Sequence, residues 1–351
     1  MFEDQNAKRT ELSALGEFGL ISHLTKNVTI QHPGTICGIG DDTAVIEPNG
    51  KQMLVTTDLL VEGVHFDLTY TPLKHLGYKA VVVNISDIAA MNGTPRQILV
   101  GISVSNRFSV EAIDELYAGI NLACERYKVD LVGGDTTSSV SGLFISVTAV
   151  GEAEKGSIVY RSTAKENNLI CVTGDLGGAY TGLLLLEREK KAFQANPEMQ
   201  PELEGYDYAL ERQLKPEARM DIIRNLKEAG ILPTSMIDIS DGLASEILHI
   251  CNDSKMGAVI YEEKLPIDAV VASIAEEFEI MPAIAAMNGG EDYELLFTVD
   301  MKDYEKISAI PGITVIGHIT DEASGVNLMS NSGSFIPIQA QGWNHYSKDN
   351  L

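Results

Sequence analysis

The sequence has no run approaching the ~20 apolar residues that a membrane-spanning helix needs. It has no Cys-x-x-Cys pair. Its four cysteines (Cys37, Cys124, Cys171, Cys251) lie far apart, which suggests neither a zinc site nor a disulfide framework and fits reduced thiols. Positive charge is scarce: 26 Lys and Arg stand against 50 Asp and Glu, a formal net charge of -24. That balance argues against a nucleic-acid backbone or an anionic membrane as partner. It leaves room for phosphate ligands that arrive with metal ions, because a bound cation inverts the local charge logic. There is no GxxxxGK[ST] loop, and no GxGxxG followed by a kinase-type catalytic loop, so the commonest nucleotide-binding devices are missing. The opening stretch, MFEDQNAKRTELSALGEFGLI, is charged and lacks an apolar h-region, so no signal peptide and a cytoplasmic location are expected.

What is present is a chain of 351 residues, too long for one ordinary core, and two domains are expected. Hydrophobic residues make up 44%, which fits a folded globular protein rather than a disordered one. Apolar periodicity predicts helices over 10–26, 75–93 and 110–129, the last with Ile113, Leu116, Ile120 and Ala123 on one side. Strands are predicted over 53–60, 96–104 and 143–153, and DLVGGDTTSS (130–139) as a strand running into a Gly-Gly-Asp turn. From about Lys155 a second unit gives strand, turn and helix over 168–187 and again over 235–253, then strands at the end of 289–299 and over 314–319. The polar stretch 188–218 reads as surface helix and loop without site residues. The class is therefore α+β (mixed α/β), with domains over 1–153 and 154–351.

Six stretches place acidic residues beside glycines or hydroxyls at the ends of these elements: GIGDDTAV (38–45), TTDLLVEGVHF (56–66), NISDIAAM (84–91), GGDTT (133–137), IDISDGL (237–243) and GGEDYELL (289–296). Carboxylates beside Thr and Ser hydroxyls suit Mg²⁺ or Mn²⁺ rather than zinc. Each has a plainer reading alone. Asp87 can be a helix residue paired with a base, Asp241 a helix cap, Asp135 an Asx-turn residue and His65 a satisfied core histidine. Six of one kind are harder to explain so, because burying that much negative charge without cations is costly. GDLGG (174–178) opens a helix and could offer N–H groups to a phosphate, but a tight strand-to-helix turn explains it better.

In this order, together with Tyr160-Arg161-Ser162 and the terminal GWNHY, the six stretches resemble the thiamine-monophosphate kinase family of the aminoimidazole ribonucleotide synthetase superfamily. The resemblance runs from the first expected helix to the last ten residues. TTD…VEGVHF with GGEDYEL is specific to the kinase. AAMNG departs from the more usual AAMGA, its glycine moved by one. The resemblance implies ATP-dependent phosphorylation of thiamine monophosphate to thiamine diphosphate by a homodimer whose N-terminal domains pair their sheets. The N-terminal domain would bind ATP and Mg²⁺, and the C-terminal domain would close the site. Carried over by position, the ligands of several Mg²⁺ ions would be Asp42, Thr56, Thr57, Asp58, Asp87, Asp135, Asp238 and Asp241. ATP contacts would include Gly134, Asp135, Arg161 and Ser240, with the region of Tyr117. Thiamine-phosphate contacts would include His65, Glu291 and Trp343, whose plainer role is to pin the tail to the body.

The chemistry agrees with the missing general base. A phosphate monoester with a second pKa of about 6 is already dianionic at neutral pH, so direct in-line transfer needs metal ions and positioning instead. Trp343 could meet the thiazolium cation face-on. Two rivals differ in kind. Another ATP-using member of the superfamily would act on a different acceptor, and relatives with acyl or selenium phosphate intermediates are expected to carry a reactive Cys, Sec or Lys near the N-terminus. A structural cation-binding module would need DxDxDG-type loops, a spacing absent here.

Overall fold

The computed structural model describes residues 35–37, 41–47, 50–198 and 200–340. The helix expected over 10–26 and Trp343 lie outside the described residues. Two sheets organise the described residues. The first comprises β1 (Thr35–Cys37), β2 (Ala44–Ile46), β3 (Lys51–Val61), β4 (Thr94–Val104), β5 (Asp130–Ser138) and β6 (Leu143–Glu154), ordered β1-β2-β3-β6-β4-β5. Its neighbours are antiparallel except β4 and β5, which run parallel through a helical crossover. Helix α1 (Leu73–Ala90) packs on β3, β6 and β4, and α2 (Val110–Tyr127) packs on α1. Leu143, Ile145, Val147 and Ala149 on β6 are buried while the residues between them are half-buried, the alternation of a sheet covered on one face.

The second sheet comprises β7 (Leu169–Thr173), β8 (Ser235–Asp238), β9 (Gly257–Tyr261), β10 (Leu295–Val299), β11 (Ile313–Thr320), β12 (Val326–Met329) and β13 (Phe335–Pro337), ordered β13-β12-β9-β11-β7-β10-β8. Its helices are α3 (Gly178–Ala195), α4 (Asp207–Leu214), α5 (Met220–Glu228), α6 (Leu243–Ser254), α7 (Ala269–Glu277), α8 (Pro282–Asn288) and α9 (Tyr304–Ser308). The fold is mixed α/β with two sheets. Among the described residues no helix is long and apolar enough to cross a membrane.

Helix α1 joins the two halves. It is buried all round: from Leu76 to Ala90 every residue is buried except the half-buried Asp87, as expected of a helix with partners on every side. Tyr78, Val82 and Ile85 pack with Leu54, Ile98 and Val147 of the first sheet. Ala89 and Ala90 pack with Cys171, Met236, Leu295 and Phe297 of the second. On its third side α1 meets α2 at very short range. A Cβ on Gly119 would fall 1.8 Å from the Lys74 carbonyl oxygen, and one on Gly77 would fall 2.0 Å from that of Leu116.

Two sequence readings change. GGDTT is not a turn: β5 continues extended to Ser138, and Gly134 allows it at φ +158, where a Cβ would fall 1.9 Å from the Val100 carbonyl oxygen. The stretch 188–218 is not wholly surface. Helix α3 runs on to Ala195, and α4 buries Ala209 and Gln213.

The α1–α2 contact gives a first prediction. Gly119→Val should lower stability by about 1–3 kcal/mol, read as a lower urea midpoint. A wild-type midpoint would contradict the close approach.

Candidate active site

The seam between the sheets collects carboxylates. On β3, Thr56 and Asp58 share one face and Thr57 takes the other. Thr56 Oγ1 donates to Asp87 Oδ2 on α1 at 2.5 Å, and the Asp58 backbone N–H donates to Asn84 Oδ1 at 3.1 Å. One residue before Asp87, Ser86 Oγ donates to Asp238 Oδ2 at 2.6 Å. Asp238 ends β8, the edge strand of the second sheet, so α1 brings acidic residues of both sheets together. Asp42 lies just before β2, with Arg161 Nη1 3.9 Å from its Oδ1. Arg161 also pairs with Asp253 at 2.9 Å, and its carbonyl accepts from Ser235 and Ser254.

Burial and mutual repulsion set the electrostatics. Asp42 is held well above the ordinary carboxylate value by burial and by the Asp238 and Asp41 charges, with Arg161 opposing. Asp87 is raised well above it by burial, Asp238, Asp58 and Asp42. Burial lifts Asp58 to about 6. Asp238 rises to about 7, chiefly through burial, while the Ser86 hydrogen bond pulls it back. Glu246 on α6 is pushed to about 8 by burial and by Asp241. Its Oε1 accepts from Ser240 N–H (3.2 Å), Ser240 Oγ (3.2 Å) and Asp241 N–H (2.8 Å), so it holds the SerAsp turn.

These donors fit a hard divalent cation. Asp42 Oδ2 and Glu246 Oε2 are buried without a hydrogen-bond partner, which native proteins avoid unless something else meets the charge. Among the described residues no three His, Cys, Asp or Glu side chains gather closely enough to hold a metal alone. Magnesium does not require that, since it binds through one or two carboxylates with waters and phosphate oxygens completing the shell.

The remaining candidates do not form one group. Glu291 lies in the GGEDYEL loop, where it and Tyr293 take left-handed φ values of 67 and 52, uncommon for such residues. Its N–H donates to the Ser240 carbonyl at 2.7 Å, so this loop and the SerAsp turn are one unit. His65 follows β3, and its Nδ1 accepts from the Val61 N–H at 3.0 Å, which puts the proton of the neutral ring on Nε2. Tyr117, Gly134 and Asp135 line a groove of about 470 Å³ between α2 and β5. Two strands separate β3 from β5, so the groove lies roughly 14 Å across the sheet from Asp58. Thr57 is not with the acidic group. It donates to the Val147 carbonyl and accepts from Thr148 on the exposed face. GDLGG offers no N–H to a ligand at Gly177 or Ala179, because Asp292 accepts from both at 2.6 and 3.1 Å.

Sequence reasoning missed Asn84, Ser86, Glu246, Lys79 and Gln213. Ser86 lies in NISDIAAM beside Asp87, whose charge is the stronger signal. Glu246 is six residues from Ser240, so no capping-box spacing marked it. Lys79 sat in an apolar helix, and Gln213 in a stretch read as surface.

The chain matches the family models for the AIR synthase related protein N-terminal domain over residues 40–153 and C-terminal domain over 165–327. It is 35% identical to the thiamine-monophosphate kinase of Bacillus subtilis, over 95% of this chain and 100% of that one. The chain belongs to the thiamine-monophosphate kinase family. Among solved members of this family, a ThiL structure described as AaThiL complexed with AMPPCP and TMP superposes with a TM-score of 0.81 at 33% identity, covering 97% of this chain and 100% of that one. The Aquifex aeolicus thiamine monophosphate kinase gives 0.75 at 31% identity, covering 91% and 98%.

The acidic seam sets a pH dependence. With Asp238 at about 7 in the fold against 3.8 as its ordinary value, folding takes up a proton between about pH 4 and 7. Stability of the metal-free protein should fall as pH rises through that window and level off above it. Asp238→Asn still accepts from Ser86 but carries no charge, so in EDTA it should flatten this slope and raise Tm at about pH 8. A lower Tm with the slope unchanged would count against buried repulsion.

Proposed function

We propose that the protein transfers the γ-phosphoryl group of ATP to the phosphate of thiamine monophosphate, giving ADP and thiamine diphosphate. What carries the reading is the set of mutually repelling carboxylates at the half-buried Asp42, Asp58 and Asp87 and the buried Asp238, with an unmatched oxygen on Asp42. The solved relative whose description names AMPPCP and TMP supports the choice of donor and acceptor.

In this reading Asp42, Thr56, Asp58, Asp87, Asp238 and Asp241 would hold several Mg²⁺ ions, with Asp135 contributing from the groove side. Thr57, facing the other side of β3, is kept out of the side-chain ligand set. The ions would neutralise the charge of the transferring group and of two anions that otherwise repel. Tyr117, Gly134, Arg161 and Ser240 contact ATP, and His65, Glu291 and Trp343 contact the acceptor. An oxygen of the acceptor phosphate attacks the γ-phosphorus as the bond to the β–γ bridging oxygen breaks. The acceptor is already a dianion near neutrality, so no proton must be removed first.

The reading assigns ATP and metal binding to residues 1–153 and closure of the site to 154–351. It also takes the enzyme to be a homodimer paired through the first sheet. In support, all of β5 is exposed, Val132 by 57%, and Leu59 by 55% on the uncovered face of β3. Among the described residues β5 has a strand partner on one side only, and an edge of this kind invites pairing with another chain.

Incubation with ATP, Mg²⁺ and thiamine monophosphate should yield ADP and thiamine diphosphate in equal amounts by chromatography, with none from free thiamine. Asp42→Asn should lower kcat at least about a hundredfold while the circular dichroism spectrum is kept. ADP release without thiamine diphosphate would favour another ATP-using member of the superfamily acting on a different acceptor. Near-normal turnover by Asp42→Asn would remove its assignment as a ligand.

A further inference from the structure

Lys79 is a buried lysine in the middle of α1. Its side chain is 6% exposed, its Nζ lies 3.0 Å from Glu291 Oε1, and it donates to the Gln213 carbonyl at 3.0 Å. Gln213 Nε2 in turn donates to Glu291 Oε2 at 2.7 Å. Both oxygens of Glu291 are thus held, one from α1 and one from α4, on a backbone in the left-handed region. A lysine is seldom buried without such a partner. A carboxylate held from two sides loses the rotamer freedom that would otherwise blur its position.

The placement along α1 gives the clamp a purpose. Lys79 and Ser86 are two turns apart on one stripe of the helix, about 10 Å along its axis. Ser86 holds Asp238, and Lys79 holds Glu291. One rigid helix therefore spaces two segments of the C-terminal half, the end of β8 proposed to bind metal and the loop before β10 proposed to meet the acceptor.

We propose that Lys79 is a positioning residue for the acceptor: by fixing the Glu291 carboxylate from α1, it sets where thiamine monophosphate is recognised relative to the phosphoryl-transfer centre. The inference rests on the assignment of Glu291 to the acceptor. Gln213 completes the clamp from the C-terminal half.

Steady-state kinetics on Lys79→Met, Lys79→Arg, Gln213→Ala and Glu291→Gln test it. Lys79→Met should raise KM for thiamine monophosphate about tenfold and leave KM for ATP within about twofold. Lys79→Arg, still able to donate to the carboxylate, should recover much of the loss. Gln213→Ala removes the other donor without emptying the lysine's site and should give the same split at smaller size, which keeps the test alive if Lys79→Met folds poorly. Equal changes in both KM values, or no recovery with Arg, would overturn the proposal. If Glu291→Gln leaves KM for thiamine monophosphate unchanged, the assignment of Glu291 fails and the proposal falls with it. If Glu291→Gln raises that KM but neither Lys79→Met nor Gln213→Ala does, the positioning role fails while the assignment stands.

Discussion

Four aspartates held in one electrostatic field, three half-buried and one buried, form the constraint on which the rest of this structure depends. Asp42, Asp58, Asp87 and Asp238 come from a turn, a strand, a helix and the edge of a second sheet, and each is raised above its ordinary value by burial. No fold gathers such groups for stability, since each ionised carboxylate in the seam makes ionisation of the others harder. The arrangement makes sense as a site whose charge is completed by what it binds. It would also reconcile the acidic chain with a phosphate-rich ligand, the protein supplying anions and the proposed metal–nucleotide complex the cations between them.

Helix α1 converts that constraint into geometry. Its apolar residues let it sit in both cores, and its glycine-mediated contact with α2 leaves it little room to shift. Because it is fixed, the polar residues along it act as fixed points. Lys79 reaches the GGEDYEL loop, Asn84 the backbone of Asp58, Ser86 the end of β8, and Asp87 the hydroxyl of Thr56. Behind these contacts Glu246 ties the SerAsp turn to its own helix, and the Glu291 N–H ties that turn to the neighbouring loop. The site is thus built on rigid elements, as accurate placement of charged groups requires.

Much of this was legible in the sequence because the chemistry is local. A carboxylate beside glycine and hydroxyls at the end of a strand is visible in a few residues, and the order of six such stretches carries the family resemblance. What depends on side-chain direction was not legible. Thr56 and Thr57 look equivalent in TTD, yet the two-residue period of a strand sends only Thr56 toward Asp87. Nor did GGDTT, with its glycines, read as an extended edge strand. Long-range partners were hidden for another reason: Gln213 meets Glu291 across 78 residues, and Lys79 sits in a run whose apolar neighbours announce only a core helix. The backbone of Gly177 and Ala179 went the other way, since the plainer reading as a tight turn held and Asp292 occupies both N–H groups.

The central claim is that the acidic seam binds metal and nucleotide as one unit, and thermal unfolding tests it most directly. The protein would be melted with Mg²⁺ alone, with a non-hydrolysable ATP analogue alone, and with both. If the carboxylates wait for cations that the nucleotide brings and shares, the pair should raise Tm by more than the two separate shifts combined, because each partner completes the other's binding to the native state. Shifts that merely add, or a nucleotide shift that is the same with and without Mg²⁺, would contradict the account.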